Sequence, residues 1–120
     1  MKYYYNGKLI RTSDHIYTHA VIDTKTGKAI ACRNGLDKAE AAKMDETRLT
    51  RNDIRDLNEK IKALKAGRDR YWVKCGRRGM WVRISEKSTI ENCEEHIKRC
   101  EEYIRIRNEQ LIVVPLTAEN

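Results

Sequence analysis

Phenylalanine is absent from this 120-residue chain, so eight tyrosines and tryptophans supply all its aromatic bulk. Proline occurs once, at Pro115, and so punctuates none of the first 114 residues. No run of about 18 apolar residues exists, which argues against a membrane span. The opening MKYYYNGKLIRTS lacks the apolar stretch of a secretion signal. A cytoplasmic protein is therefore expected, with Cys32, Cys75, Cys93 and Cys100 as reduced thiols. No C-x-x-C pair, P-loop, dinucleotide fingerprint or nucleophile motif is present. The expectation is a non-enzymatic protein with no cofactor and no metal.

What the chain has is charge, unevenly placed. The net charge is +7. Residues 1–35 carry +4, residues 36–67 carry +1, residues 68–85 carry +5, and residues 86–120 carry −3. Such asymmetry points to a polyanionic partner.

Periodicity gives the elements. Asn6-Gly7 between KYYY and KLIRTS predicts a hairpin with a type I′ turn. IYTHAVID alternates, with Ile16, Thr18, Ala20 and Ile22 on one face and Tyr17, His19 and Val21 on the other. TKTG predicts the next turn and KAIACR the returning strand. Asp37 with Glu40 has capping-box spacing and opens a helix. A second cap at Thr50 with Asp53, flanked by Leu49 and Ile54 as a hydrophobic staple, leaves two readings, one long helix or two helices that break near residues 48–50. Ile54, Leu57, Ile61 and Leu64 then form a one-sided stripe that ends at Gly67. It is too short for a coiled coil and is read as packing on the protein's own sheet. Ser88 with Glu91 predicts the last helix, with Ile90, Cys93, Ile97, Cys100 and Ile104 on its apolar face, stopping around Asn108. LIVV follows as a strand, whose unbroken apolarity predicts a central position. The order is β-β-β-β, α, β-β, α, β, an α+β fold with mostly antiparallel pairing. One domain over 1–120 is expected, divisible into 1–49 and 50–115, with 116–120 as a loose tail.

The main candidate surface is the hairpin Tyr71–Ser85, YWVKCGRRGMWVRIS. Alternation puts Tyr71, Val73 and Cys75 with Met80, Val82 and Ile84 on one face. Trp72 and Lys74, with Trp81 and Arg83, lie opposite. Arg77 and Arg78 mark the tip and Arg70 the entry. Either Trp72 and Trp81 form a platform on which bases stack, with the cations holding phosphates, or a helix covers both rings and the cations form a rim. Cys93, His96 and Cys100 at i, i+3 and i+7 of one helix, with Cys32 or Cys75, could meet a metal, but no C-x-x-C pair accompanies them and packing of Cys93 and Cys100 on the apolar stripe explains them better. His15 and His19, with Asp14 and Asp23, carry no catalytic spacing and are read as surface residues.

Two resemblances bear on context. The stretch from Tyr17 to Lys43, with AVID, KTGK, AIACR and DKAEAAK, resembles the AP2-type DNA-binding pattern, also found in integrase arm-binding domains. It implies a β-β-β-α unit reading duplex DNA from its sheet, here through Lys8, Arg11 and Tyr17. MKYYYNGKLIRTSDHIYTHAVI resembles small accessory proteins of phages and mobile elements of Gram-positive bacteria. That resemblance implies a phage or mobile-element context, within which small non-enzymatic inhibitors of host defence, anti-CRISPR proteins among them, are the class expected, acting in the host cytoplasm. Its partner would be a nucleic acid or a nucleoprotein complex such as a CRISPR effector, and the protein itself a monomer or weak homodimer.

Overall fold

Asn6 and Gly7 take φ values of 49° and 75°, the two positive values that a type I′ hairpin requires. In this computed structural model, which describes residues 1–120, they join β1 (Lys2–Tyr5) to β2 (Lys8–Thr12), with Tyr5 opposite Lys8. The next hairpin pairs β3 (His19–Asp23) with β4 (Lys28–Arg33). Helices α1 (Leu36–Asp45) and α2 (Arg48–Lys65) follow, then β5 (Arg70–Cys75), β6 (Arg78–Arg83), α3 (Ile90–Gln110), β7 (Leu111–Pro115) and β8 (Thr117–Glu119). All strand pairs are antiparallel, and the chain is an α+β protein. No helix is long and apolar enough to cross a membrane.

The chain forms two compact units, residues 1–47 with 105–120 and residues 48–104. The break falls close to the expected position, but residues 105–115 return to the first unit rather than completing the second.

The first unit contains two three-stranded sheets, ordered β2-β1-β8 and β4-β3-β7. Of the last three strands before α1, β3 and β4 share a sheet and β2 belongs to the other. Each sheet is completed by a strand from the C-terminal segment. Ala20, Ile22, Cys32 and Val114 pack with Tyr5 and Ile10 on one face of the β3 sheet. Val21, Ala31 and Leu111 pack with Ala42 of α1 on the other. This two-sided burial explains the apolar run of β7. It was expected to be central, yet β3 is central and β7 lies at the edge. Apolarity reports covered faces, and β7 has two of them. Residues 116–120 are not a loose tail, because β8 pairs with Lys2, Tyr3 and Tyr4 of β1.

Tyr3 explains why the expected strand over 16–23 begins only at His19. Its side chain is buried at 1% exposure. Its hydroxyl donates to the His15 carbonyl and accepts from the Tyr17 amide at 3.2 Å. Both backbone groups are thereby drawn out of any ladder, and Ile16 is left exposed.

The helix starts differ from the sequence expectations by one to three residues. Helix α1 follows Gly35, which offers no side-chain cap, and Asp37 sits inside the first turn. There its charge favours the helix N-terminus. The α1–α2 break lies at Glu46 and Thr47, where the buried Thr47 hydroxyl donates to the Met44 carbonyl at 3.2 Å. Leu49 is already inside α2 and 69% exposed, so it makes no staple with Ile54. Thr89, not Ser88, caps α3: its hydroxyl accepts from the Asn92 amide at 3.1 Å.

Asp23 is not the surface residue the sequence suggested. It is buried, and Arg107 of α3 donates to its Oδ2 at 2.9 Å while the Lys25 amide donates to Oδ1 at 2.9 Å. The other guanidinium nitrogen of Arg107 reaches Glu46 Oε1 at 3.1 Å. The Arg107 hydrogen bond holds the Asp23 carboxyl below its ordinary value, with the Lys25 amide adding to the effect against the opposing cost of burial. A carboxyl depressed in the folded state contributes stability that is fully present above its unfolded pKa. That contribution is lost as pH falls through the folded pKa. Stability should therefore decline below about pH 4. In Asp23→Asn the decline should be shallower, from a lower plateau at neutral pH, as urea midpoints measured between about pH 2 and 7 will show. Equal acid limbs in the two proteins would rule this network out as their cause.

Candidate nucleic-acid interface

The second unit builds its hairpin on α2, which packs against β5. Ile61 of α2, Ile84 after β6, and Cys93 and Cys100 of α3 are buried in this unit. The α2 stripe is thus spent on packing within its own unit. Arg55 of α2 also donates to the Lys74 carbonyl at 3.0 Å, tying the helix to β5.

Cys75 pairs with Arg78, so the turn is Gly76-Arg77. Gly76 has φ of 62°, whereas Arg77 is not in the positive-φ region. Positive φ at the first central position alone is the type II′ pattern, which glycine supplies without strain. Arg77 alone therefore occupies the tip. Arg78 pairs across from Cys75 and belongs to the face of Tyr71, Val73, Met80 and Val82.

The opposite face consists of three cross-strand pairs: Arg70 with Arg83, Trp72 with Trp81, and Lys74 with Gly79. No helix covers it. Trp72 is 44% and Trp81 56% exposed, so the reading that buried both rings does not hold. Their centroids lie 5.3 Å apart with planes at 72°, an edge-to-face arrangement that stabilises the pair beyond area burial. It leaves no slot between the rings, so a flat ligand would lie on an outer indole surface.

Gly79 is part of this geometry. A Cβ there would collide with Trp72 Cζ2, Cε2 and Nε1. The indole thus lies over the bare backbone of Gly79, diagonal to it in the hairpin register. This residue was missed from the sequence. The turn and the Trp72–Trp81 pairing together would have placed a glycine under a tryptophan.

Electrostatics on this face are of one sign. Residues 70–83 carry five cations and no carboxylate. Arg70, Lys74, Arg77, Arg78 and Arg83 have no ion-pair partner. Their charge is available to an incoming anion.

The structure gathers Arg70, Trp72, Lys74, Trp81 and Arg83 on one face, with Arg77 at its end. Lys8 and Arg11 belong to the other unit. Lys8 is exposed, and the Arg11 guanidinium sits 5.7 Å from the Tyr17 ring centroid. Cys93 and Cys100 are buried while His96 faces solvent. Burial pushes the Cys100 and Cys32 thiols up, which keeps them protonated as small core groups. Comparisons with protein-family models, with curated proteins and with solved structures found no match to this chain.

Proposed function

We propose that this chain is a non-enzymatic binding protein whose β5–β6 face holds single-stranded nucleic acid, free or within a nucleoprotein complex. One observation carries the reading: two exposed indoles share a face with three unpaired cations, Arg70, Lys74 and Arg83. Exposed indoles are costly to leave in water, and stacking on bases is what they gain from a strand. Flanking cations track the phosphates. Exposed indoles suit splayed bases better than a closed duplex, whose bases present edges rather than faces. With the resemblance of residues 1–22 to mobile-element proteins, the reading extends to an inhibitor that occludes the RNA or DNA channel of a host defence complex such as a CRISPR effector.

The test is fluorescence anisotropy with labelled single-stranded and duplex DNA and RNA across a salt series. Single strands should bind more tightly than duplexes. Four phosphate contacts, from Arg70, Lys74, Arg77 and Arg83, predict a slope of log K against log salt of about −3. Absence of binding at low salt would sink direct nucleic-acid recognition. Tighter binding to duplex, weakened by Lys8→Ala/Arg11→Ala, would favour a DNA-binding regulator acting through the N-terminal unit instead.

A further inference from the structure

The second unit has a second cationic feature, away from the hairpin's tryptophan face. A cavity of about 260 Å³ opens between α2, the segment before α3 and the first turns of α3. Lys60 enters it from α2, Lys87 and Ser88 from the segment, and Asn92, His96 and Arg99 from α3. Leu57 and Cys93 supply its apolar wall. No carboxylate lines it.

Three cations that line one cavity repel each other unless something neutralises them. Lys87 and Arg99 have no ion-pair partner, and Lys60 has only the Tyr71 ring, 6.0 Å from its ammonium. Asp53 and Asp56 line the adjoining cavity, and neither forms an ion pair with these three groups. Ser88 and Asn92 add neutral donors beside the charges. The N-terminus of α3, a 21-residue helix, opens at the same place, and its dipole adds to a field already set by the cations.

We infer that this cavity is a binding site for a phosphoryl group. A cavity of this volume accommodates a phosphate monoester, and the cations that line it set the class of ligand. Arg99 supplies a planar fork for two oxygens, and Lys60 and Lys87 supply point charges. Two sources offer that chemistry, free inorganic phosphate and the 5′-phosphate at the end of a strand.

Titration of the full chain with sodium phosphate, at ionic strength held constant with sodium chloride, tests the site by amide NMR. Saturable shifts confined to residues near 60 and 87–99 are expected. In Lys87→Gln/Arg99→Gln they should require at least about tenfold more phosphate, as losing two charged contacts implies. An unchanged melting temperature will show that the variant is folded. Weak, unsaturated shifts spread over the surface, or the same midpoint in wild type and variant, would overturn the proposal. Oligonucleotides with and without a 5′-phosphate separate the sources. Tighter binding of the phosphorylated strand, lost in the variant, assigns the cavity to a strand end. Equal affinity alongside saturable phosphate binding assigns it to the free ion. The phosphate titration does not involve Trp72 or Trp81, so its outcome is independent of whether the hairpin binds nucleic acid.

Discussion

Trp81→Ala should weaken binding of a single-stranded oligonucleotide by about 1–3 kcal/mol, the worth of one base–aromatic stack. That is roughly a 5- to 150-fold rise in Kd. The loss should persist at high salt, because stacking does not depend on counterion release, while the slope of log K against log salt stays near its wild-type value. Trp81 is the cleaner of the two positions, being the more exposed ring and not the one lying over Gly79. Trp72→Ala removes a stack and also bares the Gly79 backbone, so its effect mixes affinity with hairpin stability. Gly79→Val provides the complementary case. Both tryptophans remain, but the new side chain occupies the space of the Trp72 indole and drives that ring off its seat. Affinity should fall toward that of Trp72→Ala with the composition of the platform unchanged. Wild-type affinity in Trp81→Ala would remove the rings from the binding site and leave only the cations.

Tyr3→Ala should cost about 3–5 kcal/mol of stability, the range for deleting a buried aromatic side chain. Whole domains are stable by only about 5–15 kcal/mol, so a large part of the first unit's margin is at stake. Tyr3 is the largest fully buried side chain, and its hydroxyl also serves the backbone at His15 and Tyr17. Tyr3→Phe separates the two contributions. It keeps the ring and leaves those two backbone groups without a partner, for a loss of about 1–3 kcal/mol. Urea denaturation followed by circular dichroism measures both variants. A loss under about 1 kcal/mol in Tyr3→Ala would mean that the segment 13–18 holds its shape without the tyrosine.

The parts of this fold that were legible in the sequence are those set by local chemistry. Asn6-Gly7 fixed the first turn because few residue pairs tolerate two positive φ values. The α2 stripe placed its own packing face. The order of elements through β7 followed from periodicity with turn and cap residues, apart from the division of the central helix into α1 and α2. Hairpin alternation also sorted Trp72, Lys74, Trp81 and Arg83 onto one side correctly. What alternation does not contain is whether a third element covers that side, since covering depends on the placement of α2 and α3. Other features were invisible because their causes are distant in sequence. Asp23 and Arg107 stand 84 residues apart, and neither carries a spacing signal. Strand β8 is three residues, Thr-Ala-Glu, all exposed; its only reason to be a strand is the unpaired edge that β1 offers. The α3 cap moved by one residue because Ser88 and Thr89 are chemically equivalent cap candidates, and only the chain's path selects between them.

Both sheets of the first unit borrow their third strand from residues 111–119, and this imposes an order on the making of the protein. Synthesis delivers the N-terminal hairpins first, yet β1–β2, which ends at Thr12, must wait for β8 at Thr117, and β3–β4, which ends at Arg33, must wait for β7 at Leu111, at roughly 5–20 residues per second. Residues 48–104, by contrast, are complete once they have emerged, and every strand pair they contain is local. The nascent chain should therefore finish its middle before its beginning. Meanwhile the apolar edge of β3, later covered by β7, stands open to other strands. For several seconds of translation that edge is the part of the molecule most exposed to aggregation, and a ribosome stalled before residue 111 would leave it so.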